Sequence, residues 1–124
     1  MPEITNGIFI IEELLHDAGQ ITASLRINKG SDIFEGHFPG QPVVPGACIL
    51  QLVKDVLEEA LHAPILLQKA ANIKFISMII PADELTVTLH INYKITDEGG
   101  INVNAKLLAN EVASFKLQAD YIKI

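Results

Sequence analysis

The chain's potential chemistry is concentrated in His37-Phe38-Pro39-Gly40-Gln41-Pro42-Val43-Val44-Pro45-Gly46, which runs straight into an apolar helical pattern from Ala47 onward. Three prolines and two glycines in ten residues fix much of this backbone, because each proline presets φ and keeps the residue before it out of the α region. The helix that follows starts with N–H groups that have no intrahelical partner, and these carry the positive end of the helix dipole. A carbonyl oxygen gaining negative charge would be stabilised there. Histidine changes charge nearest neutral pH, so His37 is suited to removing or delivering a proton beside that oxygen. The plainer alternative is a tight turn in which His37 only bonds a backbone carbonyl; the adjoining helix entry favours the chemical reading.

Such a loop needs a scaffold, and the periodicity supplies one. A helix is predicted over residues 47–62, apolar nearly all round in its first half through Cys48, Ile49, Leu50, Leu52 and Val53, as a helix surrounded by protein requires. Its second half turns polar at Lys54, Asp55, Glu58 and Glu59. Residues 8–15 and 20–28 read as short strands around the turn Asp17-Ala18-Gly19. Val87, Leu89, Ile91, Tyr93 and Ile95 alternate with polar neighbours, the signature of a half-buried strand. Asp97-Glu98-Gly99-Gly100 and Asn110-Glu111 mark turns leading into strands over residues 101–109 and 112–122, and a further strand over 72–79 ends before Pro81. The expectation is one α+β domain over residues 1–124, with five or six mostly antiparallel strands curved around one long helix.

Composition narrows the possibilities. A length of 124 residues suits a single core, and 49% hydrophobic against 19% charged residues suits a globular chain. No apolar stretch is long enough for a membrane span, and the N-terminal residues lack a basic segment leading into an apolar one, so a cytoplasmic protein is expected. Nine basic residues against fifteen acidic ones give a net charge of −6, which speaks against nucleic acid as a partner. An acidic carrier protein would need a local basic patch, which the linear order of residues neither shows nor excludes. Cys48 is the single cysteine, read as a small packed residue. No spacing of His, Asp or Glu suits a metal, and no glycine-rich phosphate loop is present, so no cofactor is expected. His16, His62 and His90 read as structural, and the adjacent pairs Glu12-Glu13 and Glu58-Glu59 as surface charge.

The motif from His37 to Gly46, with Asn72-Ile73-Lys74-Phe75 and Ile80-Pro81-Ala82-Asp83-Glu84-Leu85 downstream, resembles the β-hydroxyacyl-ACP dehydratases of fatty-acid synthesis, which have the hotdog fold. The resemblance covers nearly the whole chain and implies a curved antiparallel sheet wrapped around the central helix, two protomers pairing, and an acyl chain threading a tunnel near their interface. It implies that His37 is the catalytic base, that the Gly46 N–H binds the thioester oxygen, and that Phe38, Ala47 and Asp55 lie along the substrate path. Where the family carries a helix carboxylate this chain has Gln51, and where the family tends to have glutamine one turn later it has Asp55. Gln51 can donate and accept hydrogen bonds but cannot exchange a proton at neutral pH, which makes it an orienting group. An inert core amide is the alternative for Gln51. Asp55 is the alternative acid, but it is displaced by about 6 Å along the helix and flanked by charges that suggest a solvated face.

The implied function is dehydration of a 3-hydroxyacyl thioester, carried on acyl carrier protein or CoA, to the trans-2-enoyl thioester, by a homodimer or higher even-numbered oligomer. The alternatives are a hotdog acyl thioesterase and a non-catalytic acyl-binding or partner subunit that has lost the helix carboxylate.

Overall fold

In a computed structural model of the chain, residues 3–5, 7–28, 30, 43–82 and 85–124 are described. His37 and Phe38, on which the sequence reading places catalysis and substrate contact, lie outside the described residues. The elements follow in the order β1 (Glu3–Ile4), β2 (Phe9–Asp17), β3 (Gln20–Ile27), α1 (Gly46–Leu61), β4 (Ile65–Phe75), β5 (Val87–Ile95), β6 (Gly100–Ala109) and β7 (Val112–Lys123). The strands form one sheet in the order β1-β2-β3-β5-β6-β7-β4. Every neighbouring pair is antiparallel.

Alternation along the strands builds the two faces. In β6, Ile101, Val103, Ala105 and Leu107 are buried while Asn102, Asn104 and Lys106 face out, and β7 repeats this with Leu117, Ala119 and Tyr121 inside. The inward side chains meet the stripe Cys48, Ile49, Leu52, Val53, Val56, Leu57 and Ala60 of α1, which recurs at the three- and four-residue spacing of one helix face. Burying each of the Ile, Leu and Val side chains contributes about 1.5–3 kcal/mol. The sheet therefore covers one side of the helix, as the family resemblance implies.

Tight turns set the register. Ala18 and Gly19 between β2 and β3, and Asn110 and Glu111 between β6 and β7, all have positive φ. Two such residues in a row match the twist of an antiparallel hairpin.

Three expectations need correction. The strand expected over residues 72–79 is β4, which begins at Ile65 and ends at Phe75, so its first half was missed. The sheet has seven strands among the described residues, one more than the upper expectation, because the two-residue β1 adds an edge. The first half of α1 is not enclosed all round: Ala47 and Gln51 are exposed and Leu50 is half-buried, which leaves a stripe of the helix open in the single chain.

Candidate active site

The entry to α1 is held from two sides. The Val44 N–H donates to the Ile79 carbonyl at 2.9 Å, which ties the approach segment to the residues after β4. Pro45 then takes extended backbone angles and, having no side-chain acceptor, leaves the first turn uncapped; that turn contains no acidic side chain either. Cys48 and Ile49 donate to the Pro45 carbonyl, at 3.0 and 3.3 Å. The N–H groups of Gly46 and Ala47 precede these bonds, so they form the part of the helix end able to receive an oxygen that gains charge.

Gly46 is closely approached by an aromatic ring. A Cβ at this position would lie 2.9 Å from both Cε1 and Cζ of Phe75, closer than carbon atoms pack. The Phe75 ring in turn rests against Phe115, with centroids 5.2 Å apart. Beside it is an apolar hollow of about 450 Å³, formed by Val43, Gly46, Ile49, Phe75, Met78 and Ile79.

On the open stripe of α1, one turn further along, Gln51 and Asp55 are joined. Gln51 Nε2 donates to Asp55 Oδ1 at 2.8 Å, and the Thr5 hydroxyl donates to Asp55 Oδ2 at 2.9 Å. A carboxylate only accepts, so it fixes the glutamine amide with nitrogen toward Asp55, leaving Oε1 and the second N–H for another partner. Thr5 is buried and has φ of 58°, an unusual conformation for a β-branched residue. Its strained backbone and its bond to Asp55 together tie the segment after β1 to the helix. These residues border an open groove of about 1030 Å³ that runs from Ala47 past Gln51 and Asp55 to His62.

This geometry revises two readings. Gln51 is exposed and paired, so it is not an inert core amide. Asp55 is half-buried with both oxygens engaged, so it does not stand on a freely solvated face, and its geometry suits holding Gln51 better than donating a proton. Ala47, Gln51 and Asp55 line the open groove along α1, Gly46 at the helix start faces Phe75 instead, and the relation of His37 and Phe38 to them lies outside the described residues. Thr5 was missed; no signal in its neighbourhood pointed to a partner fifty residues away. Phe75 belongs to the downstream Asn72-Ile73-Lys74-Phe75 motif, which by itself gives it no role.

The remaining candidates behave as structure. His16 Nε2 lies 2.6 Å from the Tyr93 hydroxyl, and His90 Nδ1 lies 3.4 Å from Thr22 Oγ1. His62 caps the C-terminus of α1 in the left-handed conformation. Glu58 is more than surface charge, since its Oε2 accepts from the Ile65 N–H at 2.8 Å and so fixes the start of β4. Cys48 is buried, and burial pushes its thiol pKa up, which keeps it in the unreactive form.

Residues 13–112 match the ApeI-like family, described as ApeI dehydratase. Among curated proteins, the 3-hydroxyacyl-(acyl-carrier-protein) dehydratase FabZ of Xanthomonas oryzae pv. oryzae is 25% identical over 114 residues, covering 85% of this chain and 74% of that protein. The enzyme of the same name from Xanthomonas campestris pv. campestris is 26% identical over 111 residues, covering 82% and 72%. Among solved structures, the dehydratase heterocomplex ApeI:P from Xenorhabdus doucetiae superposes with a TM-score of 0.73 at 20% identity, over 91% of this chain and 96% of that one. A protein from Lactococcus lactis described as a thioesterase gives 0.67 at 12% identity, over 94% and 91%. At these identities the structural likenesses speak for a shared fold, the hotdog fold.

Proposed function

Because the chain belongs to the ApeI-like dehydratase family, we propose that it is a cytoplasmic hydro-lyase that converts a 3-hydroxyacyl thioester, delivered on an acyl carrier protein, to the trans-2-enoyl thioester. The observation that carries this reading is the Gln51–Asp55 pair on the open face of α1, one turn beyond an uncapped helix start.

In this reading the thioester carbonyl oxygen lies against the Gly46 and Ala47 N–H groups. His37 takes the proton from the carbon next to the carbonyl, and the helix end holds the enolate oxygen that forms. Electrons then return to make the carbon–carbon double bond while the bond to the 3-hydroxyl breaks. The imidazolium gives its proton to that hydroxyl, which leaves as water, so one histidine serves both steps and ends as it began. Gln51 Oε1 accepts the hydroxyl's own O–H, which turns an oxygen lone pair toward the imidazolium. Asp55 keeps the amide in the orientation that makes this possible. Phe38 and the apolar hollow beside Phe75 are the proposed surroundings of the acyl chain.

A second copy of the chain is the proposed occupant of the open helix face and of the exposed apolar residues after β4. The Xenorhabdus neighbour is part of a heterocomplex, so a related hotdog chain is the second occupant to test.

Purified protein with a 3-hydroxyacyl carrier thioester should yield the enoyl thioester, and His37→Ala should lower the rate by about 10²- to 10⁴-fold, as loss of a positioned proton-transfer group does. Equal inactivity of wild type and variant on carrier and CoA thioesters of several lengths would overturn the proposal. Release of free thiol without enoyl product would favour the thioesterase. Activity that appears only in Gln51→Glu would favour a degenerate, non-catalytic subunit.

A further inference from the structure

The outer face of the sheet carries three cross-strand rows whose composition is unlike the rest of the chain. Strand register aligns His90, Lys106, Lys116 and Lys74 across β5, β6, β7 and β4. The neighbouring row is Asn92, Asn104, Gln118 and Asn72, and the next is Lys94, Asn102, Asp120 and Lys69. Five of the nine basic residues of a chain with net charge −6 thus share one face with a single carboxylate in these rows. All five lysines are exposed. Among the described residues the one ion pair is Arg26 with Glu12, at 3.6 Å, so none of the five lysines is in direct contact with a described carboxylate.

Like charges directly opposite on neighbouring strands repel, and Lys106, Lys116 and Lys74 are three in succession. A row that costs stability in the free protein is offset when an acidic surface covers it. The amide row between the two charged rows forms the floor of a shallow depression of about 350 Å³, where carboxamides offer both donors and acceptors. We infer that this face docks the acidic surface of the carrier protein that delivers the acyl thioester, with Lys74, Lys106 and Lys116 meeting its carboxylates. The inference rests on the carrier reading given under Proposed function and adds the location and chemistry of the contact.

Position supports the assignment. Lys74 is followed by Phe75, whose ring on the inner side of β4 lies against Gly46. The fully basic row is therefore the one level with the start of α1, and a carrier docked there sits at the end of the sheet where the thioester is needed. Other occupants fit less well. A second copy of the same face would set lysine against lysine. A nucleic acid would find no arginine and no Phe, Tyr or Trp ring in the three rows.

The test uses the full chain with Lys74→Glu, Lys106→Glu and Lys116→Glu combined, and a second variant with the same lysines changed to Gln. Binding to a 3-hydroxyacyl carrier protein is followed by fluorescence anisotropy at low and high salt, and turnover is compared between that substrate and an uncharged N-acetylcysteamine thioester. The Glu variant is expected to weaken carrier binding and raise the carrier KM by roughly tenfold or more at low salt, with the Gln variant between it and wild type and the difference shrinking at high salt. Turnover of the small thioester is expected to stay within about twofold of wild type, and the melting temperature to hold or rise as the like-charge row is relieved. Unchanged carrier binding in the Glu variant would overturn the inference, as would a loss of self-association in that variant, or an oligonucleotide that binds the wild type more tightly than the carrier does. If wild type turns over no thioester, the Proposed function fails, yet salt-sensitive carrier binding lost in the Glu variant still upholds the docking surface.

Discussion

Asp55 has both oxygens occupied by donors from opposite directions, Thr5 from the segment after β1 and Gln51 from its own helix. The carboxylate is therefore the joint that sets which end of the Gln51 amide faces the groove. Asn in its place can present either an acceptor or a donor to Gln51, and the amide then samples both orientations. Asp55→Asn is expected to lower kcat for dehydration by about tenfold while KM changes little, since the interaction serves a group that acts as the hydroxyl leaves. Thr5→Val keeps the shape but removes the donor, and should cost about 1.5 kcal/mol, in the range for a hydrogen bond to a charged group. Thr5→Ser keeps the donor and is less restrictive at positive φ, so it should match or exceed wild-type stability in urea. Equal loss in Ser and Val would mean that packing of the threonine methyl, not its hydroxyl, matters.

At the level of elements, the start of α1 and the end of β4 work as one unit through the contact of Gly46 with Phe75. In Gly46→Ala the new methyl must push the ring aside, and because Phe75 is 55% exposed the ring has room to move. The variant should fold normally and lose dehydratase activity, as the displaced ring disturbs the apolar hollow next to the helix N–H groups. Phe75→Ala added to Gly46→Ala should recover part of that loss, a coupling that a double-mutant cycle measures directly. An additive result would show that the two positions act independently. Much of this unit was legible in the sequence. The proline-glycine run marks the helix entry, and the strict alternation of residues 87–95 marks β5, because a strand with one buried face must keep period two. The first half of β4 was not legible, since register shifts at Leu67/Lys69 and Ala70/Asn72 break its alternation and most of its residues are exposed at the sheet edge. Asp55 was misread for a different reason. Its local neighbours are charged, and the hydroxyl that bonds it comes from Thr5, fifty residues away. The lysine rows were invisible for the same cause, being scattered from position 69 to 116 and gathered only by cross-strand pairing.

The whole molecule joins a core sensitive to alkali with a face that is unfinished in the single chain. Tyr121 is almost wholly buried, and burial pushes its pKa from 10.0 up to about 12. The unfolded phenol ionises first as pH rises, so this contribution to stability is intact below about pH 10 and is lost between 10 and 12. The urea midpoint should accordingly be flat through neutral pH and fall in that window, with a shallower fall in Tyr121→Phe. The apolar face lies at the end of the neighbouring edge strand β4 and just beyond it, where Phe75, Ile76, Met78 and Ile80 are exposed, Met78 at 76% and Ile80 at 59%. Exposed apolar side chains of this kind are costly in water, and association is expected where they cluster. The strip meets the start of α1 at Gly46, whose N–H belongs to the proposed site, so association there and completion of the site are expected to occur together. Met78→Asp combined with Ile80→Asp places two charges in the strip without touching the buried side of the sheet beyond it. Sedimentation should then report a folded monomer in place of a dimer, and dehydration should fall with the dimer fraction, recovering as protein concentration rises. A monomer that retains full activity at every concentration would mean that one copy holds the entire site and that the apolar strip serves another partner.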